Sequence, residues 1–216
     1  MKTIYSYLLV IVFVLTGTSV FAQQSDKQLT KEIKDKAVRQ ARKEAKQFEK
    51  DGWDVAPGSI PLSKVVEDSW MKQYMTDEKT GQPMYITADG NGVAQSQSVA
   101  EMQAIELAKL QLAGLIQSNF TSIVEANIGN AQLAPDDAAS VTEVVQASKN
   151  LISTELGYIN PVFKIYRKIN NNVECQVRIF YDVKQSLEIA KKVVKKELKD
   201  KLEMNQEKID QIMGLE

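Results

Sequence analysis

The chain has 216 residues, 44% apolar and 25% charged, with no histidine and a single cysteine. A near balance of 27 basic and 28 acidic side chains gives a net charge of −1, which argues against a dedicated nucleic-acid binder working by phosphate neutralisation. Without histidine, Ser-His-Asp and Cys-His catalysis and most zinc sites are excluded, and one cysteine cannot form an internal disulfide.

Lys2 is the sole charge before Asp26, and Ile4 to Val14 is an almost unbroken apolar run. The segment closes on Val20-Phe21-Ala22, with small or short residues where a signal peptidase reads. These features predict a cleavable secretory signal peptide over residues 1–22. An uncleaved anchor is the alternative, but polar Gly17, Thr18 and Ser19 follow the run and no stop-transfer pattern appears. No cysteine lies near the cleavage site, so the expected product has no N-terminal lipid and is free in the periplasm or secreted. The leader holds one lysine and no acid, leaving 194 residues with 26 basic and 28 acidic side chains.

From Asp26 to Lys50 the residues are helix-forming and highly charged. Leu29, Ile33, Ala37, Ala41, Ala45 and Phe48 recur every three or four positions, a narrow stripe made half of alanine. Such a stripe buries little, so the expectation is a helix lying loosely on the domain or against a partner. Gly52 stops it, and Trp53 to Gly58 forms a linker. Pro61 suits the first turn of a helix running to about Met75, with Leu62, Val65, Val66, Trp70 and Tyr74 apolar. Asp77 to Pro83 is a polar turn.

Met84 to Ala94 reads as a strand whose Gly90 and Gly92 imply a bulge or a close backbone neighbour. Ser98 can cap the next helix, in which Met102, Ile105, Leu112, Ile116, Phe120 and Ile123 mark the core side, broadened by Ala104, Ala108 and Leu115. Pro135 with Asp136 and Asp137 starts another helix, lined by Val141, Val144, Val145, Ser148, Leu151 and Ile152 and closed by Gly157. Val162 to Ile169 and Val173 to Asp182 form a hairpin joined by Asn170-Asn171-Asn172. In its second strand Val173, Cys175, Val177, Ile179 and Tyr181 face one way, as in a one-sided antiparallel sheet. A last helix runs from about Lys184 past Leu202, and residues 205–216 continue it through Ile209 and Ile212 or fray.

Candidate chemistry is sparse. Cys175 falls on the apolar side of its strand, the place of a core thiol rather than a nucleophile. Asp89-Gly90-Asn91-Gly92 resembles part of a calcium loop, but Ala100 stands at the twelfth position where a glutamate is needed, and the Gly-x-Gly lacks the third glycine of a phosphate cradle. Asp136 and Asp137 are adjacent, so they point to different sides of a helix and suit its positive end better than acid/base work. Lys191, Lys192, Lys195, Lys196, Lys199 and Lys201 make a basic face, and residues 27–50 carry a similar set. These could meet an envelope protein or an anionic glycan or lipid, though a solvated face laced with acids is the simpler explanation. Asn119-Phe120-Thr121 matches a glycosylation triplet but lies inside the clearest helix. Trp53, Trp70 and Tyr74 form either a ligand platform or the seat of the second helix.

Residues 84–195 carry a family likeness. A strand ending Gly90-Asn91-Gly92-Val93-Ala94 leads into Ala100-Glu101-Met102-Gln103-Ala104-Ile105-Glu106-Leu107-Ala108-Lys109-Leu110, and the hairpin ends Val177-Arg178-Ile179-Phe180-Tyr181. This resembles the twenty-kilodalton membrane-associated lipoprotein family and the N-terminal domain of flagellar assembly protein T. Through Gln146-Ala147-Ser148-Lys149-Asn150-Leu151-Ile152-Ser153 it is closer still to exported proteins of host-associated Gram-negative bacteria. The resemblance implies a compact envelope domain with no catalytic residues to transfer, and the missing lipid-attachment cysteine departs from the lipoprotein pattern.

The expected fold is α+β: a small antiparallel three-stranded sheet with helices packed on one face, plus an N-terminal helical extension. The expected division is a signal peptide (1–22), a charged N-terminal helix (23–52), a linker and short helix (53–83), an α+β envelope domain (84–204) and a C-terminal tail (205–216). The expected role is a non-catalytic, exported envelope protein that binds or scaffolds, with no nominated catalytic, metal or cofactor residue, no cofactor, and no stable membrane insertion. The rival is a carboxylate-dependent glycan-processing enzyme.

Overall fold

The structure is a computed structural model and describes residues 35–129, 131 and 133–214. The expected leader, and Leu29 and Ile33 of the N-terminal stripe, lie outside the described residues. The elements are helix α1 (residues 35–50), α2 (Leu62–Gln73), strand β1 (Tyr85–Ala94), α3 (Gln97–Ile128), α4 (Pro135–Ala147), α5 (Lys149–Glu155), β2 (Phe163–Ile169), β3 (Asn172–Asp182), α6 (Val183–Leu202) and α7 (Gln206–Met213). The three strands form one antiparallel sheet in the order β1-β3-β2, so the fold is α+β as expected.

β3 sits at the centre because both of its faces have something to bury. Cys175, Val177 and Ile179 point to one side and are fully buried in the main core, beneath α3 and with α4 to α7 around it. Their alternation with Glu174, Gln176 and Arg178 is the period of a strand. Two residues, Asn170 and Asn171, connect β2 to β3, with Asn170 in the left-handed region (φ 53°) that asparagine tolerates; Asn172 already belongs to β3.

β1 lies directly under α3. Its register with β3 is continuous from Tyr85↔Asp182 to Ala94↔Val173, so there is no bulge. The glycines mark close approach instead. A Cβ on Gly90 would stand 2.0 Å from the Ala104 carbonyl oxygen, and one on Gly92 would stand 2.2 Å from that of Ala100. Ala100, Ala104 and Ala108, all fully buried, are the matching small residues on the helix.

α3 is capped by Ser96, whose hydroxyl accepts from the Val99 N–H at 3.4 Å, rather than by Ser98, which lies within the first turn. Its buried positions are Ala100, Ala104, Ala108, Leu112, Ala113, Ile116, Phe120 and Val124. A four-residue step overshoots one turn by about 40°, so this stripe winds around the 32-residue helix and changes partners from the sheet to the surrounding helices. Met102 and Leu115, placed on the core side by a fixed-face reading, are 60% and 39% exposed for that reason.

The helix expected to run from Pro135 to Gly157 is broken. Ser148, buried, turns its hydroxyl back onto the Val145 carbonyl at 2.6 Å and separates α4 from α5, leaving Ile152 in the core and Leu151 outside. The tail is likewise a separate element: Glu203 takes a left-handed conformation (φ 49°), Asn205 caps α7, and Ile209, Ile212 and Met213 are buried in the main core.

The N-terminal helix does not lie loosely. α1 ends in a Schellman motif at Gly52 (φ 80°), with the Trp53 N–H on the Phe48 carbonyl and the Gly52 N–H on that of Glu49. Ala41 and Ala45 are buried in a second core with Trp53, Leu62, Val65, Val66, Phe163 and Ile165, on the sheet face opposite α3. Alanine buries little of its own area, but it lets the helix come close enough for large neighbours to close around it.

Candidate functional site

The sheet face toward α1 and α2 is crossed by two polar rows. In one, the Arg178 guanidinium holds Asp89 with two hydrogen bonds (2.7 and 3.2 Å) and reaches the buried Ser69 hydroxyl at 3.4 Å. In the other, buried Glu174 accepts from Arg167 on one oxygen (2.5 Å) and from Asn91 on the other (2.6 Å), while the Arg167 guanidinium lies 4.5 Å over the Trp53 ring. The Trp70 indole N–H donates to Glu44, tying α2 to α1, and Tyr74 stacks on Trp70 with ring centroids 5.7 Å apart. Trp53 and Trp70 are therefore packing residues that seat the two helices, and Tyr74 is left half exposed at the edge.

On the α3 side, Glu101 accepts from Lys164 at 2.8 Å and from the Tyr166 hydroxyl at 2.6 Å. Burial opposes its ionisation, but these two hydrogen bonds outweigh it and lower its pKa; burial, and then the same carboxylate, raise that of Tyr166. Cys175, beneath them, has its thiol pushed up to about 12, chiefly by burial. These groups hold the fold together and are poorly placed to react.

The remaining sequence candidates stay apart. Asp89 is engaged by Arg178 and Asn91 by Glu174, so the Asp-Gly-Asn-Gly segment is a packed strand. Asp136 and Asp137 sit exposed in the first turn of α4. Of the six lysines that make the basic face of α6, Lys191, Lys192, Lys195 and Lys201 are ion-paired, with Glu188, Glu155, Asp210 and Glu197. Asn119 flanks the fully buried Phe120 within α3. Among the described residues, no three His, Cys, Asp or Glu side chains gather as a metal site, and no helix is long and apolar enough to cross a membrane.

Two surface recesses each have two carboxylates in their walls: Glu125 and Glu143 in one of about 490 Å³, Asp137 and Glu203 in one of about 310 Å³. All four residues are exposed, whereas a glycosidic general acid needs a desolvated carboxyl.

Two features that residue patterns did not nominate stand out. The first is a cleft of about 690 Å³ between α1, the end of α2 and the turn before β1, lined by Ala37, Met71, Tyr74, Met75 and Met84. At its rim Asp77 accepts from Lys184 (2.9 Å) and from the N–H groups of Lys79 (3.0 Å) and Thr80 (3.1 Å), which hold its carboxyl at about 2. The second is the outer face of α3, where Val99, Met102, Leu107 and Leu110 are all exposed on a stripe spanning about 140° of the helix surface. The spacing of both sets was visible in the sequence, but whether they were core or surface was not.

No protein-family model, curated protein or solved structure matches the chain.

Proposed function

We propose that this chain is an exported, non-catalytic protein of the cell envelope that works by binding or scaffolding. The leader-like run over residues 1–22 and the likeness of residues 84–195 to the lipoprotein family support the compartment. One observation carries the binding role: Val99, Met102, Leu107 and Leu110 expose apolar side chains together on the outside of the longest helix, with Gln103 and Glu106 among them. Exposed apolar patches of this kind mark interaction sites. Their chemistry suits a partner protein offering an apolar groove, the mode in which a helix face docks through residues three and four apart. The basic face of α6 is the weaker contact surface, since four of its lysines are neutralised within the molecule.

The test places a photo-crosslinking residue at Met102 or Leu107, with Lys199 as an exposed control, in the full chain expressed in a Gram-negative host. A processed N-terminus at Gln23, together with one discrete adduct from the stripe positions that disappears in a Leu107→Glu background, is expected. Retention of the leader would remove the compartment. Glycan turnover lost on neutralising a single Asp or Glu, or equal adducts from stripe and control, would overturn the binding role.

A further inference from the structure

We propose that the cleft beside α2 binds a soft monovalent metal ion, Cu(I), through the thioethers of Met71, Met75 and Met84. The inference does not depend on the envelope reading, because it rests on how three sulfur side chains are brought to one place.

Two of the three are fixed by a short ladder. Thr76 pairs with Pro83, the Asp77 N–H bonds to the Gln82 carbonyl at 2.8 Å, and the Met84 N–H bonds to the Met75 carbonyl at 2.9 Å. Met75 and Met84 are therefore directly opposite each other across an antiparallel pair. Side chains in that relation leave the backbone on the same side with Cβ atoms about 5 Å apart. Met71 lies in the last turn of α2, just before the chain leaves the helix at Tyr74 for the ladder, and lines the same cleft. All three line the same cleft, and Ala37 across from them contributes only a methyl group.

The donor set selects the ion. A thioether is soft, neutral and never needs to lose a proton, so it favours Cu(I) over Zn(II), Ca(II) or Mg(II), which seek nitrogen or oxygen. Of the two carboxylates that line the cleft, Asp77 is already occupied by Lys184 and two backbone N–H groups, which leaves Glu78 as the oxygen donor beside the three sulfurs. Met75 is 45% exposed, which gives the ion a way in. A methionine serving only as core filler would be enclosed, as Met213 is at 1% exposure. Binding involves no electron transfer: Cu(I) exchanges its ligands for three thioethers and leaves as Cu(I).

The experiment titrates the folded chain with Cu(I) under anaerobic reducing conditions against the chromophoric chelator bicinchoninate, in a Cys175→Ala background that removes the one thiol. One equivalent should transfer to the protein. Met71→Leu, Met75→Leu and Met84→Leu should each weaken transfer at least tenfold, and the triple variant should abolish it. Leucine and methionine have similar volumes, so the far-ultraviolet circular dichroism and the melting temperature should stay nearly unchanged. Met102→Leu, on the far side of the sheet, should transfer Cu(I) normally. On adding Ag(I), a redox-inert stand-in, the three S-methyl resonances of Met71, Met75 and Met84 should shift together. No transfer in the Cys175→Ala chain, undiminished transfer in the triple leucine variant, or equal competition by Zn(II) would each overturn the proposal.

Discussion

Substituting Gly90 by alanine tests the central packing of the fold. The added methyl would meet the Ala104 carbonyl oxygen at 2.0 Å, the Ala108 nitrogen at 2.7 Å and the Ala108 Cβ at 2.9 Å. Comfortable contacts lie near 3.5 Å, so strand and helix would have to separate by about 1.5 Å. Overpacking against side chains costs about 1–3 kcal/mol, because side chains can rotate away. Here two of the three atoms are helix backbone, which places the loss at about 4 kcal/mol, a large part of the 5–15 kcal/mol that holds a domain together. In a chain of this size that lowers the melting temperature by roughly 10 °C. Gly114→Ala supplies the opposite sign. It lies in the interior of the same helix, and its nearest neighbour is the flexible end of Lys149 at 3.3 Å. Relief of glycine's helix penalty should stabilise by about 0.5–1 kcal/mol. Urea unfolding followed by circular dichroism measures both. Ala108→Gly combined with Gly90→Ala should recover only a small part of the loss, since the backbone contacts remain. A Gly90→Ala loss below about 1 kcal/mol, or full rescue by Ala108→Gly, would refute backbone contact as the reason for the glycine.

Glu174→Ala should cost about 2–3 kcal/mol, because it leaves the Arg167 guanidinium and the Asn91 amide without their shared acceptor in a largely buried row; a urea midpoint within error of the parent would sink that account. Asp77 should titrate by carbon-detected NMR near pH 2, below its ordinary 3.8, held down first by Lys184 and then by the N–H groups of Lys79 and Thr80. Its folded pKa is depressed, so its stabilisation is present above about pH 4 and fades as the pH falls through about 2; Asp77→Asn should therefore flatten the stability profile across that window, and a midpoint at 3.8 would contradict the hydrogen bonding. Cys175 should resist maleimide at pH 8 in the native chain and label at the rate of global opening, because it is fully buried and its thiol is pushed up to about 12; rapid stoichiometric labelling of folded protein would disprove its place in the core.

Local chemistry made much of the architecture legible. The alternation in Val173 to Tyr181 gave the central strand, the asparagines gave the hairpin, and the Gly90/Gly92 pair announced a close neighbour that proved to be α3. What escaped was decided by tertiary context. A strand whose second face carries Glu174, Gln176 and Arg178 looks one-sided until Arg167, Asn91, Asp89 and Ser69 supply their partners. The breaks at Ser148 and Glu203 involve residues that helices usually accommodate, and only packing against the core reveals why the chain turns there.

The same limit governs the surfaces that function can use. A helical stripe in a sequence gives a spacing, and spacing alone does not say which partner covers it. Ala37, Ala41 and Ala45 look too small to matter and are buried, whereas Met102 and Leu115 look like core and face outward. Where backbones approach closely, as β1 and α1 do against their neighbours, small residues occupy the contact, and as the buried stripe of α3 winds, larger apolar residues on the sides turned away from it are left outside. A protein built on such close contacts therefore exposes apolar side chains on the back of its tightest interface. Substitutions at Val99, Met102 or Leu110 should accordingly change association far more than stability, and those at Ala100 or Ala104 the reverse, a separation that urea unfolding and crosslinking read independently.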